Sequence, residues 1–474
     1  MIETAAKLPQ RVHIIGICGV ATSALTIAFK EKGVEVTGSD KGFFPPVSSE
    51  LEKHGISFYA GWHPEKMFKN GVPDIVIVGT ASGSHNPETA AAKEKNIPMY
   101  SFAEAIGKYF SREKSIVCVG TWGKTSSAAL LSFILDYAGL NPAYMFGGVS
   151  LSHRASARLA DSSWSVLEGD EYKSSPTDPR AKFFHYRPTH LLLTAISWDH
   201  ADLYATEKSY FDAFRELLST IPEKGFIAAC ADNEGTVNIL KSFNGRIIYY
   251  GRKRPLKNPI DYAYSNVSQT KGGLDLVISH SGKDYKIHSP MLGLFQAENI
   301  AGCFAIASEL GVAPSKIIEA ISMFKGLKRR LEKRFDGAVT VIDDIAHSPE
   351  KALSVLYTLK SIYEGKIMAV FEPNIGGRSR GSIAKYDNAF RNADTVMIPH
   401  LTKLKSSENA SEQPMEGEEL ATVISKTHQD ARYMDDDEKL VDFLASNTKT
   451  GDVIAFLGSH GFRGMIEETI AKLK

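Results

Sequence analysis

The feature that most constrains this chain is a recurring unit in which a short apolar strand runs through a tight turn into a helix. The unit begins three times, with predicted strands at residues 12–15, 116–119 and 338–342. Short apolar strands alternate with helical patterns along almost all of the remaining sequence, which is typical of α/β units built on parallel sheets. A length of 474 residues fits about three domains. We therefore predict an α/β fold with domain boundaries near residues 110 and 327.

Each predicted domain has its own pattern. Residues 1–110 and 328–474 are predicted to be Rossmann-like, and residues 111–327 a central domain with a mostly parallel sheet. One antiparallel element is expected in the central domain, because LDLVISHSGKDYKIH has the pattern of a hairpin around Gly282. Helices are predicted over residues 21–31 and 298–310, and from Lys124 and Pro349 onwards.

Charge and cysteine content exclude several classes of function. Lys plus Arg and Asp plus Glu both number 55, so no net positive field exists to hold nucleic acid or an anionic membrane. No apolar run approaches the roughly 20 residues of a membrane span, and no apolar signal-peptide core follows the N-terminus. The four cysteines are far apart, as in a reduced cytosolic protein. We expect a cytoplasmic protein that neither binds nucleic acid nor inserts into a membrane.

The segment GTWGKTSS, residues 120–127, follows a predicted strand and opens a helix. Backbone N–H groups and the helix N-terminus converge at such a junction, where a triphosphate can lie. Lys124 would neutralise the β- and γ-phosphate oxygens, and Thr125 would ligate Mg²⁺. A strict P-loop has glycine where Cys118 stands, so a glycine turn without a ligand is the alternative.

A second turn, in HIIGICGVATSA, places Gly16 and Gly19 between a strand and a helix, and Asp40 follows in VTGSD. This spacing is similar to a dinucleotide fingerprint, although Cys18 and Ala21 occupy the positions of its second and third glycines. The residues alone leave open a nucleotide site and a structural turn that binds nothing.

Acidic segments follow two predicted strands. LEGDEY ends with residues 168–172, and SWDHADLY contains Asp199, His200 and Asp202. Because ligands bind at the carboxyl ends of strands in such sheets, Glu168 and His200 could meet the glycine turn and hold a metal or order a phosphate. The alternative is a solvated acidic surface.

The run KRRLEKRF, residues 328–335, has five basic residues in eight. Its simplest interpretation is a solvated helix face. Because the run lies at a predicted domain boundary, the alternative is an arginine that reaches the γ-phosphate when domains close.

Together and in this order, these segments resemble the ATP-dependent Mur ligase family over essentially the whole chain. The series comprises GTxGKT, EGDE, DHAD, FQAEN before an alanine-rich helix, the paired arginines of LKRRLE, and DDIAHSP. The resemblance implies amide formation through an acyl phosphate, with ATP, Mg²⁺ and UDP-N-acetylmuramate bound. The first domain would then hold UDP rather than NAD, which explains the incomplete fingerprint.

The resemblance also assigns residues by position. Three residues would be catalytic: Lys124, His200 and Arg330. The residues that would bind ATP are Gly120, Thr121, Trp122, Gly123, Lys124, Thr125, Ser126, Asn299, Arg330, Asp344 and His347. Those that would hold Mg²⁺ are Thr125, Glu168 and His200. Those that would bind the UDP-sugar are Gly16, Cys18, Gly19, Val20, Ser39 and Asp40.

Three segments resemble the murein peptide ligase branch of the family: GSDKGFFPPVSSELEKHGI, DPRAKFFHYRPTHLLL and GSHGFRGMIEETIAKL. The branch implies a cell-wall peptide acceptor, L-Ala-γ-D-Glu-meso-diaminopimelate, in peptidoglycan recycling, and a monomer or weak homodimer. The basic residues expected to pair with the peptide's carboxylates are Arg378, Arg380, Lys403, Lys405 and Arg463.

Alternatives remain because the chain departs from the family pattern. The departures are Trp122, Thr194, Ala195, Ser197, Gln296, Ile345, Ser348 and the segment KSSPT. They put the substrate in question, so the family's L-alanine-adding ligases are the first alternative. A non-catalytic nucleotide-binding member and a nicotinamide dehydrogenase are the alternatives from other classes.

Overall fold

The structure is a computed structural model that describes residues 6–43, 47–79, 85–153, 155–200, 203–254, 260–402 and 413–474. The chain divides into two compact units, and both are discontinuous in sequence. The first contains the chain up to Val267 with Leu276–Ser289 and Ala297–Lys325. The second contains Ser268–Asp275, Pro290–Gln296 and Gly326–Lys474. Among the described helices, none is long and apolar enough to cross a membrane.

The N-terminal sheet is parallel. Its described strands are β1 (Arg11–Ile15), β2 (Glu35–Asp40), β3 (Ser57–Ala60), β4 (Ile75–Val78) and β5 (Met99–Ser101). The accompanying helices are α1 (Val20–Glu31), α2 (Val47–Lys53), α3 (Pro64–Met67), α4 (Pro87–Glu94) and α5 (Phe102–Tyr109). The strand order β3-β2-β1-β4-β5 puts β1 at the centre. This order confirms the predicted Rossmann-like fold.

The central sheet is larger and mixed. Its described strands are β6 (Lys114–Val119), β7 (Ala143–Met145), β8 (Ala157–Arg158), β9 (Trp164–Glu168), β10 (His190–Leu193), β11 (Phe226–Cys230), β12 (Arg246–Arg252), β13 (Tyr262–Thr270), β14 (Gly273–His280) and β15 (Lys283–Ser289). Its helices are α6 (Lys124–Tyr137), α7 (Glu207–Ser219), α8 (Glu234–Leu240), α9 (Gln296–Glu309) and α10 (Pro314–Met323).

The order of these strands is β15-β14-β13-β12-β11-β10-β6-β9-β7-β8. Strand β6 runs parallel to both of its neighbours, β9 and β10, so the carboxyl ends of all three meet at one edge. Strands β14 and β15 are adjacent and joined by a short turn at Gly282, which has a φ of +76°. Both the mostly parallel sheet and the hairpin around Gly282 are therefore confirmed.

The C-terminal sheet consists, in the described part of the second unit, of β16 (Glu332–Asp336), β17 (Thr340–Asp344), β18 (Ile367–Glu372), β19 (Thr395–Pro399), β20 (Ala431–Met434) and β21 (Val453–Gly458). Its helices are α11 (Pro349–Ile362), α12 (Gly417–Ser425), α13 (Asp437–Ser446) and α14 (Met465–Leu473). The strand order is β16-β17-β21-β18-β19-β20, and only β16 pairs antiparallel among the described strands.

The expected helix face in the basic run is wrong. The run enters β16 through a turn in which Arg329 and Leu331 have φ values of +57° and +50°. Arg329 donates hydrogen bonds to three backbone carbonyls, one in the last residue of β21 and two just after it, and Arg334 pairs with Asp343 and Glu467. The run is therefore a turn followed by a strand, in which Arg329 and Arg334 are bound within the unit.

The second unit includes the short segment Pro290–Gln296 in its core. Leu292 and Leu331 pack in one cluster with apolar residues of β17, β18 and α11. Gln269 Oε1 accepts a hydrogen bond of 2.7 Å from the backbone N–H of Gly293, and Lys333 Nζ donates to the carbonyl of Lys271 at 3.1 Å. The segments that interrupt the central sequence are therefore part of this unit.

Candidate active site

The loop at residues 120–123 joins β6 to α6 at the carboxyl edge of the central sheet. Gly120 and Gly123 have φ values of +135° and +82°, which strain any residue with a side chain. A Cβ at Gly120 would lie 2.1 Å from Thr194 Oγ1, and one at Gly123 would lie 2.4 Å from Asn299 Oδ1. Cys118 is buried within β6, before the turn begins, so its position does not require glycine. The shortened motif therefore still forms a tight phosphate-type loop.

Residues after β10 hold this loop in place. The Thr121 backbone N–H donates to the carbonyl of Ala195 at 2.8 Å, and its hydroxyl donates to the carbonyl of Ser197 at 2.8 Å. The Thr194 hydroxyl donates to the carbonyl of Trp122 at 2.6 Å. Thr194, Ala195 and Ser197 depart from the family pattern, yet they support the loop. Thr194 does so through its hydroxyl, and Ala195 and Ser197 through their backbone carbonyls.

Helix α6 presents an uncapped N-terminus to the loop. Its N-cap Gly123 supplies no side-chain hydrogen bond, and its first turn, which includes Ser126, contains no acidic residue. The first N–H groups of a helix lack intrahelical partners and favour a negative charge. This end of α6 therefore has the properties of an anion-binding site.

The Lys124 side chain folds back over the loop. Its Nζ donates to the carbonyl oxygens of Gly120 at 2.7 Å and Thr121 at 3.3 Å, and to Glu171 Oε1 at 2.9 Å. Glu171 is 1% exposed, so the ion pair is buried on its acidic side. The structure thus brings the predicted phosphate-binding lysine to a carboxylate that we did not predict as a site residue.

Thr125 and Glu168 meet at the same edge. Thr125 Oγ1 donates a hydrogen bond of 2.6 Å to Glu168 Oε1, and the Gly147 backbone N–H donates to Glu168 Oε2 at 2.5 Å. Glu168 is the last residue of β9, beside β6 in the sheet. Two of the three residues predicted to hold Mg²⁺ are therefore adjacent.

His200 reaches this group through Glu171. Its Nε2 lies 3.4 Å from Glu171 Oε1, and its backbone has a φ of +55°. The hydrogen bond with Glu171 raises the pKa of His200, although partial burial opposes the shift. Asp202, from the same motif, lies outside the described residues.

Sequence reasoning missed the role of Glu171 as the link between Lys124 and His200. The signal was present, because Glu171 is the last carboxylate of EGDE. Its near-complete burial, however, depends on partners elsewhere in the chain and not on the motif itself.

The chemistry of these side chains fits a magnesium ion. Thr125 and Glu168 supply oxygen donors, and Mg²⁺ is usually held by one or two carboxylates together with substrate phosphates. Glu171 is a further carboxylate beside the loop, and it is paired with Lys124. Within the described chain, no group of three or more His, Cys, Asp and Glu side chains could hold a metal, so phosphate oxygens would have to complete the shell.

Asn299, expected to contact adenine, lies beside the loop on α9. It is buried, and its Oδ1 accepts a hydrogen bond of 3.4 Å from Ser127 Oγ. Trp122, by contrast, is 56% exposed. Of these two predicted nucleotide contacts, Asn299 is therefore buried beside the loop and Trp122 is exposed.

The turn at residues 16–19 joins β1 to α1 in the N-terminal sheet. The backbone N–H groups of Gly16 and Ile17 donate to the Ser39 carbonyl at 2.8 and 3.1 Å, and Cys18 N–H donates to Asp40 Oδ2 at 2.8 Å. Helix α1 starts at Val20, which is 54% exposed, with Gly19 as an N-cap that makes no side-chain hydrogen bond. The predicted UDP-sugar residues therefore cluster around a second uncapped helix N-terminus.

A buried carboxylate, that of Glu88, holds Ser39, which borders this turn. Glu88 has no exposed surface and accepts hydrogen bonds from Ser39 Oγ at 2.5 Å, Tyr59 OH at 2.6 Å and the His63 backbone N–H at 2.7 Å. His13 Nε2 lies 3.5 Å from it. Burial alone would raise the pKa of Glu88, but these partners hold it below its ordinary value. Sequence reasoning missed Glu88, whose NPET context indicates only the start of a helix.

Three predicted ATP residues belong to the second compact unit. Asp344 ends β17 and accepts hydrogen bonds from the backbone N–H groups of Leu331 at 2.7 Å and Ala346 at 2.8 Å. Burial raises its pKa to about 6. Arg330 is exposed, and its positive charge opposes the rise in the pKa of Asp344. His347 Nδ1 lies 2.7 Å from the Ile345 carbonyl, and burial lowers the pKa of this histidine.

The basic residues expected to meet a peptide already have partners in the structure. Arg378 is 2% exposed and donates to the carbonyls of Met415 and Thr402 and to Glu416. The other pairs are Arg380 with Glu419, and Arg463 with Asp437 and Glu372. Lys403 and Lys405 lie outside the described residues. These pairs weaken the expectation that the basic residues are free to meet a substrate.

Family models of known proteins match three successive stretches of the chain. Three family models match: the catalytic domain of the Mur ligase family over residues 11–114, the Mur ligase middle domain over 119–307, and the glutamate ligase domain of Mur ligases over 329–460.

Individual relatives carry two different substrate names. The chain is 30% identical over 467 residues to UDP-N-acetylmuramate--L-alanyl-gamma-D-glutamyl-meso-2,6-diaminoheptandioate ligase of Escherichia coli, with 97% of this chain and 98% of that protein covered. It is 29% identical over 454 residues to UDP-N-acetylmuramate--L-alanine ligase of Acetivibrio thermocellus, with 95% and 93% covered.

A solved structure shares the fold. The UDP-N-acetylmuramate-alanine ligase of Thermotoga maritima matches with a TM-score of 0.78 and 21% identity, and 98% of each chain is covered. From the family models, the full-length relatives and this fold, we conclude that the chain belongs to the Mur ligase family of ATP-dependent amide ligases.

Proposed function

We propose that the protein joins a cell-wall peptide, L-Ala-γ-D-Glu-meso-diaminopimelate, to the lactyl carboxylate of UDP-N-acetylmuramate, in peptidoglycan recycling. In this proposal, residues 1–110 bind the UDP-sugar, 111–327 bind ATP and Mg²⁺, and 328–474 bind the acceptor. The observation that carries the ATP chemistry is the meeting of Lys124, Thr125 and Glu168 at the uncapped N-terminus of α6.

The reaction needs an activated carboxylate, because a carboxylate oxygen does not leave by itself at neutral pH. A lactyl carboxylate oxygen attacks the γ-phosphorus of ATP, ADP leaves, and an acyl phosphate forms. The neutral amine of the acceptor then attacks the acyl carbon, phosphate leaves, and the amine gives up a proton as the amide forms.

The residues of the loop would act on the charge of this reaction. The N–H groups at the start of α6 and the Lys124 ammonium would bind the phosphates and stabilise the negative charge that moves during phosphoryl transfer. Thr125 and Glu168 would hold Mg²⁺, which when bound neutralises phosphate charge. Arg330 would add a second positive charge from the C-terminal domain, and its exposed side chain supports that role.

Two acceptors are supported by different observations. The three segments that resemble the murein peptide ligase branch and the 30% identity to the Escherichia coli protein favour the peptide. The similarity to L-alanine-adding relatives, at 29% identity in sequence, favours L-alanine as the second candidate.

One experiment separates these candidates. The protein is incubated with ATP, Mg²⁺ and UDP-N-acetylmuramate, with the tripeptide or L-alanine supplied in separate reactions, and the products are identified by mass. We expect kcat/KM for the tripeptide to exceed that for L-alanine by at least ~10²-fold, because two additional charged hydrogen bonds would suffice. A preference for L-alanine would replace the peptide assignment, and no ADP release with either acceptor would refute the ligase proposal.

A further inference from the structure

Glu171 occupies a position between two residues of the proposed ATP site. Both of its carboxylate oxygens lie 2.9 Å from Lys124 Nζ, and Oε1 lies 3.4 Å from His200 Nε2. The side chain is 1% exposed. The Glu171 backbone carbonyl is fixed separately by Tyr204 OH, which donates to it at 2.7 Å.

The Lys124 ammonium has no donor left for a phosphate in this arrangement. A lysine side chain carries three N–H donors, and here they meet Gly120, Thr121 and Glu171. To bind a phosphate, Lys124 must therefore release one of these three acceptors. Glu171 is the only one of the three that carries a charge, and that charge would repel an arriving triphosphate.

The remaining partner of Glu171 is the imidazole of His200. A buried carboxylate needs a positive or hydrogen-bonding partner, because an unpaired buried charge is costly. When Lys124 turns to a phosphate, His200 is the described side chain already within reach of Glu171 Oε1.

We propose that Glu171 is a positioning residue that competes with the nucleotide for Lys124 and passes to His200 when the nucleotide binds. The inference rests on the proposed ATP-binding function of this loop. Glu171 would keep Lys124 folded over the empty loop, and during turnover it would orient His200.

The inference predicts opposite effects on binding and on turnover. In Glu171→Gln, loss of the charge removes both the competition and the repulsion, so we expect the Kd for ATP to fall by about tenfold, the scale of one charged hydrogen bond. We expect kcat to fall at the same time, because His200 loses its charged partner. Glu171→Asp, which keeps the charge but shortens the reach, should give an intermediate Kd.

The test is calorimetric titration of ATP and ADP into wild type, both Glu171 variants and Asp170→Asn, together with steady-state kinetics. Asp170 is the matched control, because it is a neighbouring carboxylate that pairs with Lys182 at 2.6 Å instead of Lys124. We expect a smaller change in nucleotide Kd for Asp170→Asn than for Glu171→Gln. Thermal unfolding shows whether each variant is folded. If Glu171→Gln does not fold, the Kd of Glu171→Asp is compared with that of wild type instead.

The outcomes distinguish failure of the inference about Glu171 from failure of the proposed function. If wild type binds ATP and either folded Glu171 variant binds it equally well or more weakly than wild type, the inference is refuted and the ligase proposal stands. If wild type binds no ATP, the proposed function fails and the inference with it. If Asp170→Asn lowers the Kd for ATP as much as Glu171→Gln does, the change is a general effect of charge. That result would also refute the exchange of partners.

Discussion

Replacement of Glu88 by glutamine tests whether a buried carboxylate supports the turn of the N-terminal sheet. Glu88 is completely buried, and Ser39, Tyr59 and the backbone of His63 donate hydrogen bonds to it. Glutamine keeps one oxygen for Tyr59 and His63 but places an NH₂ group where Oε2 accepts from Ser39. One charge-assisted hydrogen bond is lost, at about 2–3 kcal/mol.

The expected readout is local opening of the sheet. A loss of about 2–3 kcal/mol corresponds to roughly 30- to 140-fold faster amide hydrogen exchange in β1 and β2, where exchange proceeds through opening of this region. Hydrogen-exchange mass spectrometry of Glu88→Gln measures this change. Glu35→Gln is the control, because Glu35 pairs with Arg11 at 2.8 Å on the surface and such exposed pairs contribute about 0–1 kcal/mol.

The pH dependence has a defined sign. The pKa of Glu88 is lowered in the folded state, so folding favours the charged form. This stabilisation is present above the unfolded-state pKa of about 4.3 and is lost as the pH falls through the folded-state pKa. The difference in melting temperature between wild type and Glu88→Gln should therefore shrink in acid. Equal exchange rates for Glu88→Gln and Glu35→Gln, or a difference that grows in acid, would refute the reasoning.

Three further predictions concern the proposed ligase site. Lys124→Ala should lower ligation by about 10²-fold or more in protein that remains folded, and near-normal turnover in steady-state kinetics would contradict the phosphate-binding role. Glu168→Gln should raise the Mg²⁺ concentration needed for half-maximal rate without changing the calorimetric Kd for UDP-N-acetylmuramate; the reverse pattern would assign Glu168 to another site. Arg330→Ala should slow turnover without loss of thermal stability, whereas Arg329→Ala should lower the melting temperature because Arg329 donates to backbone carbonyls at the end of β21. Equal melting temperatures for the two variants would contradict this division of roles.

Much of the fold follows from short-range patterns in the sequence. The apolar strands that start each unit have the length and period of buried parallel strands, and Gly282 has the residue type that a hairpin turn requires. Strand β16 could not be found in this way. Its sequence, EKRFD, lacks an apolar run, and its pairing with β17 together with the ion pairs of Arg334 keeps it in the sheet.

The candidate site could also be predicted only in part from the sequence. The phosphate loop could be predicted because its glycines, Lys124 and Thr125 are contiguous, and the chemistry of a helix N-terminus is local. Glu171 and Glu88 could not, because their burial depends on partners that lie 47 and 49 residues away, in Lys124 and Ser39. Arg378 is the opposite case. Sequence analysis predicts it as a substrate contact, but in the structure it donates hydrogen bonds to Met415 and Glu416.

The discontinuous second unit also affects how the protein can be divided and made. Its core contains Leu292, and Gln269 and Lys271 make hydrogen bonds with other members of the unit. During synthesis these residues leave the ribosome before the C-terminal strands that complete their surroundings. A fragment that begins at residue 328 would lack them and expose the face of Leu331 that packs in the shared cluster. Expression of residues 328–474 alone therefore requires the earlier segments to be supplied as well.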